Sequence, residues 1–144
     1  MRPHVLRVGW IAGLLYLLLM VTPSAQATPG SWVGTAPSVR LFTPGRPVQS
    51  VSITPSSPLS SDARIRSISW RFAPPVDQPR LEAWLCQHKR CFSLSMARGT
   101  SQALAGLDAN QALFFVFRLP EDARASKPFR VQGLRVIVDY RSIP

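Results

Sequence analysis

The stretch 64-RIRSISWRF-72 carries the clearest structural signal in the chain. Within it Ile68, Trp70 and Phe72 alternate with serine and arginine, so that one face of an extended segment would be apolar and the other polar. This two-residue period is typical of a β-strand that buries one face. Prolines follow directly at 74 and 75 and would end the strand. We therefore predict a half-buried strand here.

Further segments on the C-terminal side have the composition of strands: 80-RLEAWLC-86, 91-CFSLSM-96, 112-ALFFVFRL-119 and 129-FRVQGLRVIVDYR-141. In the second, the pattern places Phe92, Leu94 and Met96 on one face. The third is apolar on both faces, which suits a central strand. The fourth is predicted to be one long strand, or two strands separated near Gly133.

The region before these strands, 28–62, is rich in proline and serine, which excludes long helices. Val51 and Ile53 alternate with serines there, and this pattern predicts another half-buried strand. No segment after residue 27 has a helical period. Short strands that recur about every ten residues predict an all-β fold, an antiparallel β-sandwich with a small barrel as the alternative.

The N-terminus has the layout of a secretory signal peptide. Arg2 and Arg7 precede an apolar run over residues 8–21, and Ala25-Gln26-Ala27 forms a small-residue cleavage site. The run is shorter than the roughly 20 residues that span a bilayer. We predict cleavage after Ala27, which leaves a single domain over 28–144 without a membrane span. Within this domain, 28–62 forms a proline- and serine-rich N-terminal part.

The hexapeptide 86-CQHKRC-91 contains both cysteines of the chain. A structural zinc site needs about four ligands, and a redox-active pair uses a Cys-x-x-Cys spacing at a helix N-terminus. Neither pattern is present here. Two strands joined by a four-residue loop would place Cys86 opposite Cys91, and a secreted chain favours a disulfide between them. We predict a stapled hairpin whose loop exposes His88, Lys89 and Arg90.

Catalytic chemistry finds little support in the sequence. His88 is the only histidine left after cleavage, and an exposed loop tip is a poor position for a desolvated base. The acidic residues fall mostly in loops, and no glycine-rich phosphate loop occurs. A paired-carboxylate glycosidase is not excluded by sequence, but no motif indicates one. We predict neither catalytic residues nor a bound cofactor or metal.

The chain is strongly basic. After removal of Arg2 and Arg7, 15 basic residues would face seven acidic ones, a formal charge of +8. The basic positions considered are Arg64, Arg66, Arg71, Lys89, Arg90, Arg98, Arg118, Arg130 and Arg135. A solvated sheet face is the favoured interpretation, and attraction to an acidic partner is the functional alternative. Nucleic acid is not an expected partner of an exported protein.

Three segments together resemble the flagellar protein FlhE family of Gram-negative bacteria: 69-SWRFAPPVDQPRLEAWLCQHKRCFSL-94, 113-LFFVFRLP-120 and 131-VQGLRVIVDYR-141. The resemblance rests on the joint order of Trp70-Arg71, then Cys86 and Cys91, then Val136-x-Val138-x-Tyr140-Arg141. It covers residues 65–141.

The resemblance implies a periplasmic β-sandwich protein, encoded with flagellar export components, that assists flagellar assembly and swarming without being part of the filament. Family members are described as limiting proton leakage through the export apparatus or as chaperones for rod and hook formation, so partners in the export apparatus, rod or hook are expected. An alternative prediction is a carbohydrate- or peptidoglycan-binding sandwich that uses Trp32 and Trp84 as exposed aromatics. Oligomeric state stays open.

Overall fold

A computed structural model of the chain describes residues 23–76, 80–124 and 128–143. Within these ranges the chain forms β-strands and no helix. The strands are β1 (Thr28–Ala36), β2 (Val39–Leu41), β3 (Val48–Gln49), β4 (Arg64–Ala73), β5 (Glu82–Gln87), β6 (Arg90–Ser93), β7 (Arg98–Ser101), β8 (Phe114–Arg118) and β9 (Phe129–Ser142). The all-β prediction is confirmed. The predicted signal peptide lies outside the described residues up to position 22.

Two antiparallel sheets make up the fold. The five-stranded sheet has the order β1-β9-β4-β7, with β2 also paired to β9, and the four-stranded sheet has the order β3-β8-β5-β6. The apolar faces of both sheets contribute to one core, which confirms the predicted β-sandwich. Strand β9 is the centre of the larger sheet because it pairs with β1, β2 and β4.

Strand β4 follows the predicted alternation. Ile68, Trp70 and Phe72 are all buried, as the sequence pattern indicates. Ile65 is buried as well, although a strict two-residue period would turn it outward. The register shifts between Ile65 and Ser67, so that one extra residue lies in β4 as a bulge. A bulge resets the alternation, and both apolar sets therefore face the core.

Strand β9 is one continuous strand and not two. Gly133 has a φ of +65°, and the pairing with β4 shifts register between Arg71 and Ala73 at this point. A glycine with left-handed φ at a register shift is typical of a bulge that bends a strand without ending it. On its other edge, β9 changes partner here. Its residues up to Val131 pair with β2, and its residues from Leu134 onward pair with β1.

Phenylalanines hold the two sheets together. The Phe72 ring of the larger sheet lies 5.2 Å from the Phe117 ring and 6.2 Å from the Phe115 ring of β8, both edge to face. Phe115 and Phe117 stack on each other at 5.7 Å. Both β8 rings are completely buried, and burial of such a side chain contributes about 1.5–3 kcal/mol. The prediction of a central strand at 112–119 is confirmed.

The proline- and serine-rich region is part of this sandwich. Ile53 is buried, exchanges backbone hydrogen bonds with Leu113 and contacts Gly34 of β1. The prediction that Val51 shares the buried face of Ile53 is wrong, because Val51 is 62% exposed. Ser50 is buried in place of Val51, and its hydroxyl accepts a hydrogen bond from the Phe115 N–H at 2.9 Å. This side-chain contact interrupts regular pairing after β3.

Two further predictions, at Trp32 and Met96, are wrong. Trp32 was expected to be exposed, but it is only 8% exposed because it lies opposite Val138 and faces the core. Its indole N–H donates to the Ala109 carbonyl at 3.2 Å, so the buried polar group is satisfied. Met96 was expected to share the face of Leu94, but it is 66% exposed because β6 already ends at Ser93.

Candidate interaction surface

The hairpin β5–β6 carries the disulfide. Cys86 and Cys91 are register partners with a Cα–Cα distance of 4.1 Å, and a disulfide joins them. This confirms the predicted pairing. The connection is tighter than predicted, since Gln87 already pairs with Arg90 and only two residues form the turn.

The hairpin tip is anchored on one side and open on the other. Gln87 is buried, and its amide nitrogen donates to the Asp108 carbonyl at 2.9 Å. The His88 ring nitrogen Nε2 lies 3.0 Å from the Gln111 side-chain oxygen. His88, Lys89 and Arg90 are exposed, in agreement with the sequence analysis. The anchor on 108–111 depends on contacts distant in sequence, and no local signal indicates it.

The outer face of the five-stranded sheet concentrates positive charge. Its strands contain eight exposed arginines: Arg40, Arg64, Arg66, Arg71, Arg98, Arg130, Arg135 and Arg141. The only acidic residue in the same five strands is Asp139, whose carboxylate accepts a hydrogen bond from the Ser67 hydroxyl at 3.1 Å. Arginines that are dispersed along the sequence therefore come together on one surface.

The strand register places like charges against each other. Four register pairs join two arginines: Arg40 with Arg130, Arg64 with Arg141, Arg71 with Arg98, and Arg71 with Arg135. Because Arg71 has an arginine on both sides, Arg98, Arg71 and Arg135 form a continuous line across β7, β4 and β9. We call these three residues the arginine row. Directly opposed like charges destabilise a sheet.

The arginine row lines a shallow depression of about 400 Å³. Ser69, Thr100 and Ile137 complete the outer part of its lining. The two hydroxyls lie 2.8 Å apart and hydrogen-bond to each other. None of the row's guanidinium groups forms a salt bridge with a carboxylate within the described ranges. The three guanidinium groups offer hydrogen-bond donors without a carboxylate partner among the described residues, beside two hydroxyls and the apolar side chain of Ile137. Such a combination can bind anions.

The outer face of the four-stranded sheet differs. Arg118 donates to the Glu82 carboxylate at 2.6 Å, and its guanidinium carbon lies 5.5 Å from the centre of the Trp84 ring. The hydrogen bond from Arg118 lowers the pKa of Glu82, and the same bond raises the pKa of Arg118. Trp84 is half-buried. This arginine is therefore fixed by its neighbours on the sheet.

The described residues contain neither a metal-binding cluster nor a membrane-spanning helix. Over residues 23–76, 80–124 and 128–143, no three His, Cys, Asp or Glu side chains lie close enough together to hold a metal ion. The same part of the chain contains no helix with the length and hydrophobicity to span a bilayer. The most distinctive feature of the described surface is the arginine row.

Comparison with known proteins identifies the family. The family model described as "Flagellar protein FlhE" matches residues 38–141. The chain is 35% identical over 127 residues to the flagellar protein FlhE of Yersinia enterocolitica, which covers 84% of this chain and 88% of that protein. It is 30% identical over 129 residues to FlhE of Escherichia coli K12, covering 89% of this chain and 98% of the relative.

A solved structure agrees with these sequence matches. A crystal structure of FlhE superposes with a TM-score of 0.71 at 28% identity, and the match covers 79% of this chain and 98% of that one. The predicted resemblance is confirmed, and the family match begins earlier, at residue 38 instead of 65. With its β-sandwich, its stapled hairpin and these similarities, the chain belongs to the FlhE family of flagellar accessory proteins.

Proposed function

We propose that the chain is a non-enzymatic periplasmic protein that binds a component of the flagellar rod, hook or export apparatus during assembly. Membership of the FlhE family over residues 38–141 is the observation that carries this proposal. In such a role the protein acts as a chaperone for rod and hook subunits, or as a plug that limits proton leakage through the export apparatus. Both roles require an exposed binding surface, and the arginine row supplies a candidate.

A periplasmic location is supported by the order of features at the N-terminus. Strand β1 begins at Thr28, directly after the expected cleavage site at Ala27. Cleavage there would leave all of the described strands intact. The disulfide between Cys86 and Cys91 fits the same proposal, because structural disulfides form in oxidising compartments such as the periplasm.

The hairpin tip is proposed as a secondary contact. His88, Lys89 and Arg90 are exposed on the four-stranded sheet and do not join the arginine row. The carbohydrate-binding alternative loses its basis, because it depends on two exposed aromatic side chains. Trp32 is buried, and Trp84 lies against Arg118.

Deletion of the gene tests the proposal. We expect the deletion strain to assemble rods or hooks incorrectly, with filaments in the periplasm or a loss of swarming, and we expect the full chain to restore normal flagella. A version that lacks residues 1–27 stays in the cytoplasm and should not restore them. Normal flagella, normal swarming and unchanged cytoplasmic pH in the deletion strain would overturn the proposal.

The same strain distinguishes the two roles. A plug predicts that the cytoplasm of the deletion strain acidifies in an acidic medium whenever export channels are present, even when rod and hook subunits are absent. A chaperone predicts misassembled subunits without this acidification. A pH-sensitive fluorescent protein in the cytoplasm and electron microscopy of the envelope measure the two outcomes.

A further inference from the structure

We propose that the arginine row formed by Arg98, Arg71 and Arg135 is the binding site for an acidic segment of a partner protein. This inference rests on the proposed function and deepens it by specifying the chemistry of the partner. It assigns recognition to the outer face of the five-stranded sheet and not to the hairpin tip.

The stability of the sheet does not explain the arginine row. Arg71 lies opposite an arginine on each neighbouring strand, and such pairs are unfavourable for the sheet. Arg118, in contrast, has the carboxylate of Glu82 at 2.6 Å. A row that costs stability and has no salt-bridge partner among the described residues is explained if a partner supplies the missing negative charge.

The geometry favours a segment with several carboxylates over a single small anion. Neighbouring strands are about 4.8 Å apart, so the three arginines span roughly 10 Å across the sheet. Acidic side chains are about 7 Å apart at alternate positions of an extended segment and about 5.4 Å apart after one helical turn. Long arginine side chains reach either spacing, and guanidinium groups bind carboxylates with two parallel hydrogen bonds.

The surroundings of the row favour a protein over a membrane. The depression combines the arginines with the hydroxyls of Ser69 and Thr100 and with half-buried Ile137. A peptide with mixed acidic, polar and apolar side chains matches this lining. Binding to anionic lipid would be strengthened by exposed apolar groups that insert into the bilayer, whereas Ile137 in the lining of the depression is half-buried.

Fluorescence anisotropy tests the proposal on the mature protein. The probe is a short fluorescein-labelled peptide in which glutamate alternates with alanine and serine, and a glutamine version of the same peptide is the uncharged control. We expect the wild type to bind the glutamate peptide and not the glutamine peptide. The double variant Arg71→Gln/Arg135→Gln should lose about tenfold or more in affinity, because charge-assisted hydrogen bonds are removed.

The matched control is Arg40→Gln/Arg130→Gln. It removes two opposed arginines from the same sheet, so the net charge of the two double variants is equal. We expect it to keep most of the affinity. Equal loss in both variants would show that only total charge matters and would overturn the proposal, as would failure of the wild type to bind the glutamate peptide.

A parallel arm uses vesicles that contain phosphatidylglycerol. If the protein bound the vesicles through the arginine row and did not bind the peptide, the ligand would be a membrane surface and not an acidic protein segment. This result would contradict the proposal. The outcome is independent of the genetic test: normal flagella in the deletion strain would refute the proposed function while peptide binding to the row could still be measured.

Discussion

Arg118 and Arg71 have opposite electrostatic surroundings on the two outer faces of this sandwich. On the four-stranded sheet, Arg118 is bound by Glu82 and lies against Trp84. On the five-stranded sheet, Arg71 faces an arginine on each side and has no carboxylate partner in the described part of the chain. The same side chain thus stabilises one face and leaves unbalanced charge on the other. Arg118 therefore supports the fold, whereas the proposal assigns Arg71 to a partner.

The largest expected effect is a loss of stability when the core between the two sheets is disrupted. Phe117 is completely buried and packs against Phe72 of the opposite sheet. Phe117→Ala should lower the free energy of unfolding by about 3–5 kcal/mol, since it leaves a cavity between the sheets. Urea unfolding followed by tryptophan fluorescence measures this loss.

The control for this substitution is Phe42→Ala. Phe42 is 63% exposed, and its removal should change stability by less than about 0.5 kcal/mol. If Phe117→Ala folds too poorly to measure, Phe117→Leu should show a smaller loss in the same direction. Similar effects at positions 42 and 117 would contradict the described core.

The next largest effect on stability comes from the disulfide in the four-stranded sheet. Replacement of Cys86 and Cys91 by serine removes a crosslink that closes a small loop, and we expect a loss of about 2 kcal/mol with the fold retained. Binding of the acidic peptide to the arginine row should be unchanged, because the hairpin lies on the other sheet. Chemical denaturation and anisotropy give the two readouts. Two free thiols in the native wild-type protein would disprove the disulfide.

A smaller effect is a change in stability whose sign differs between Arg71→Gln and Arg118→Gln. Arg71→Gln relieves repulsion with Arg98 and Arg135, so it should raise the free energy of unfolding by about a few tenths of a kcal/mol. Arg118→Gln removes the partner of Glu82 and should lower stability. Both differences should shrink at high salt, because exposed charges are screened. Thermal unfolding of the two variants at low and high salt checks this; equal signs would remove the contrast between the faces.

The smallest effect is a pH dependence. Arg118 lowers the pKa of Glu82 in the folded state relative to the ordinary value of a glutamate. A lowered folded-state pKa contributes stability above the ordinary pKa and loses it as the pH falls through the lowered one. The stability gap between wild type and Arg118→Gln should therefore be present at neutral pH and close under acidic conditions. Unfolding midpoints across this range measure the gap; a gap that persists in acid would argue against the ion pair.

Local patterns were sufficient to predict much of the fold. The alternation in 64–72 and the apolar segment 112–119 identify buried strands without knowledge of their partners. The prediction is wrong at Trp32 and Val51, where burial depends on a distant partner. Trp32 is the register partner of Val138, and the Phe115 N–H donates to the Ser50 hydroxyl.

The candidate site was harder to predict because it depends on register. Arg71, Arg98 and Arg135 are far apart in the sequence, and a change of one residue in the alignment of β4 with β9 would turn their side chains to different faces. The bulge near Gly133 and the extra residue after Ile65 set that alignment. Gly133 indicates an irregularity in β9, but neither the register shift there nor the extra residue after Ile65 follows from composition or alternation. The sequence alone therefore shows only dispersed arginines.

If the arginine row carries the binding function of this FlhE-family protein, a variant without it should fail to support flagellar assembly. Complementation of the deletion strain measures this, with wild type, Arg71→Gln/Arg135→Gln and Arg40→Gln/Arg130→Gln expressed at equal levels. We predict that the wild type and the Arg40/Arg130 variant restore normal flagella, and that the Arg71/Arg135 variant accumulates as a folded protein without restoring them. Full restoration by the Arg71/Arg135 variant would contradict the claim.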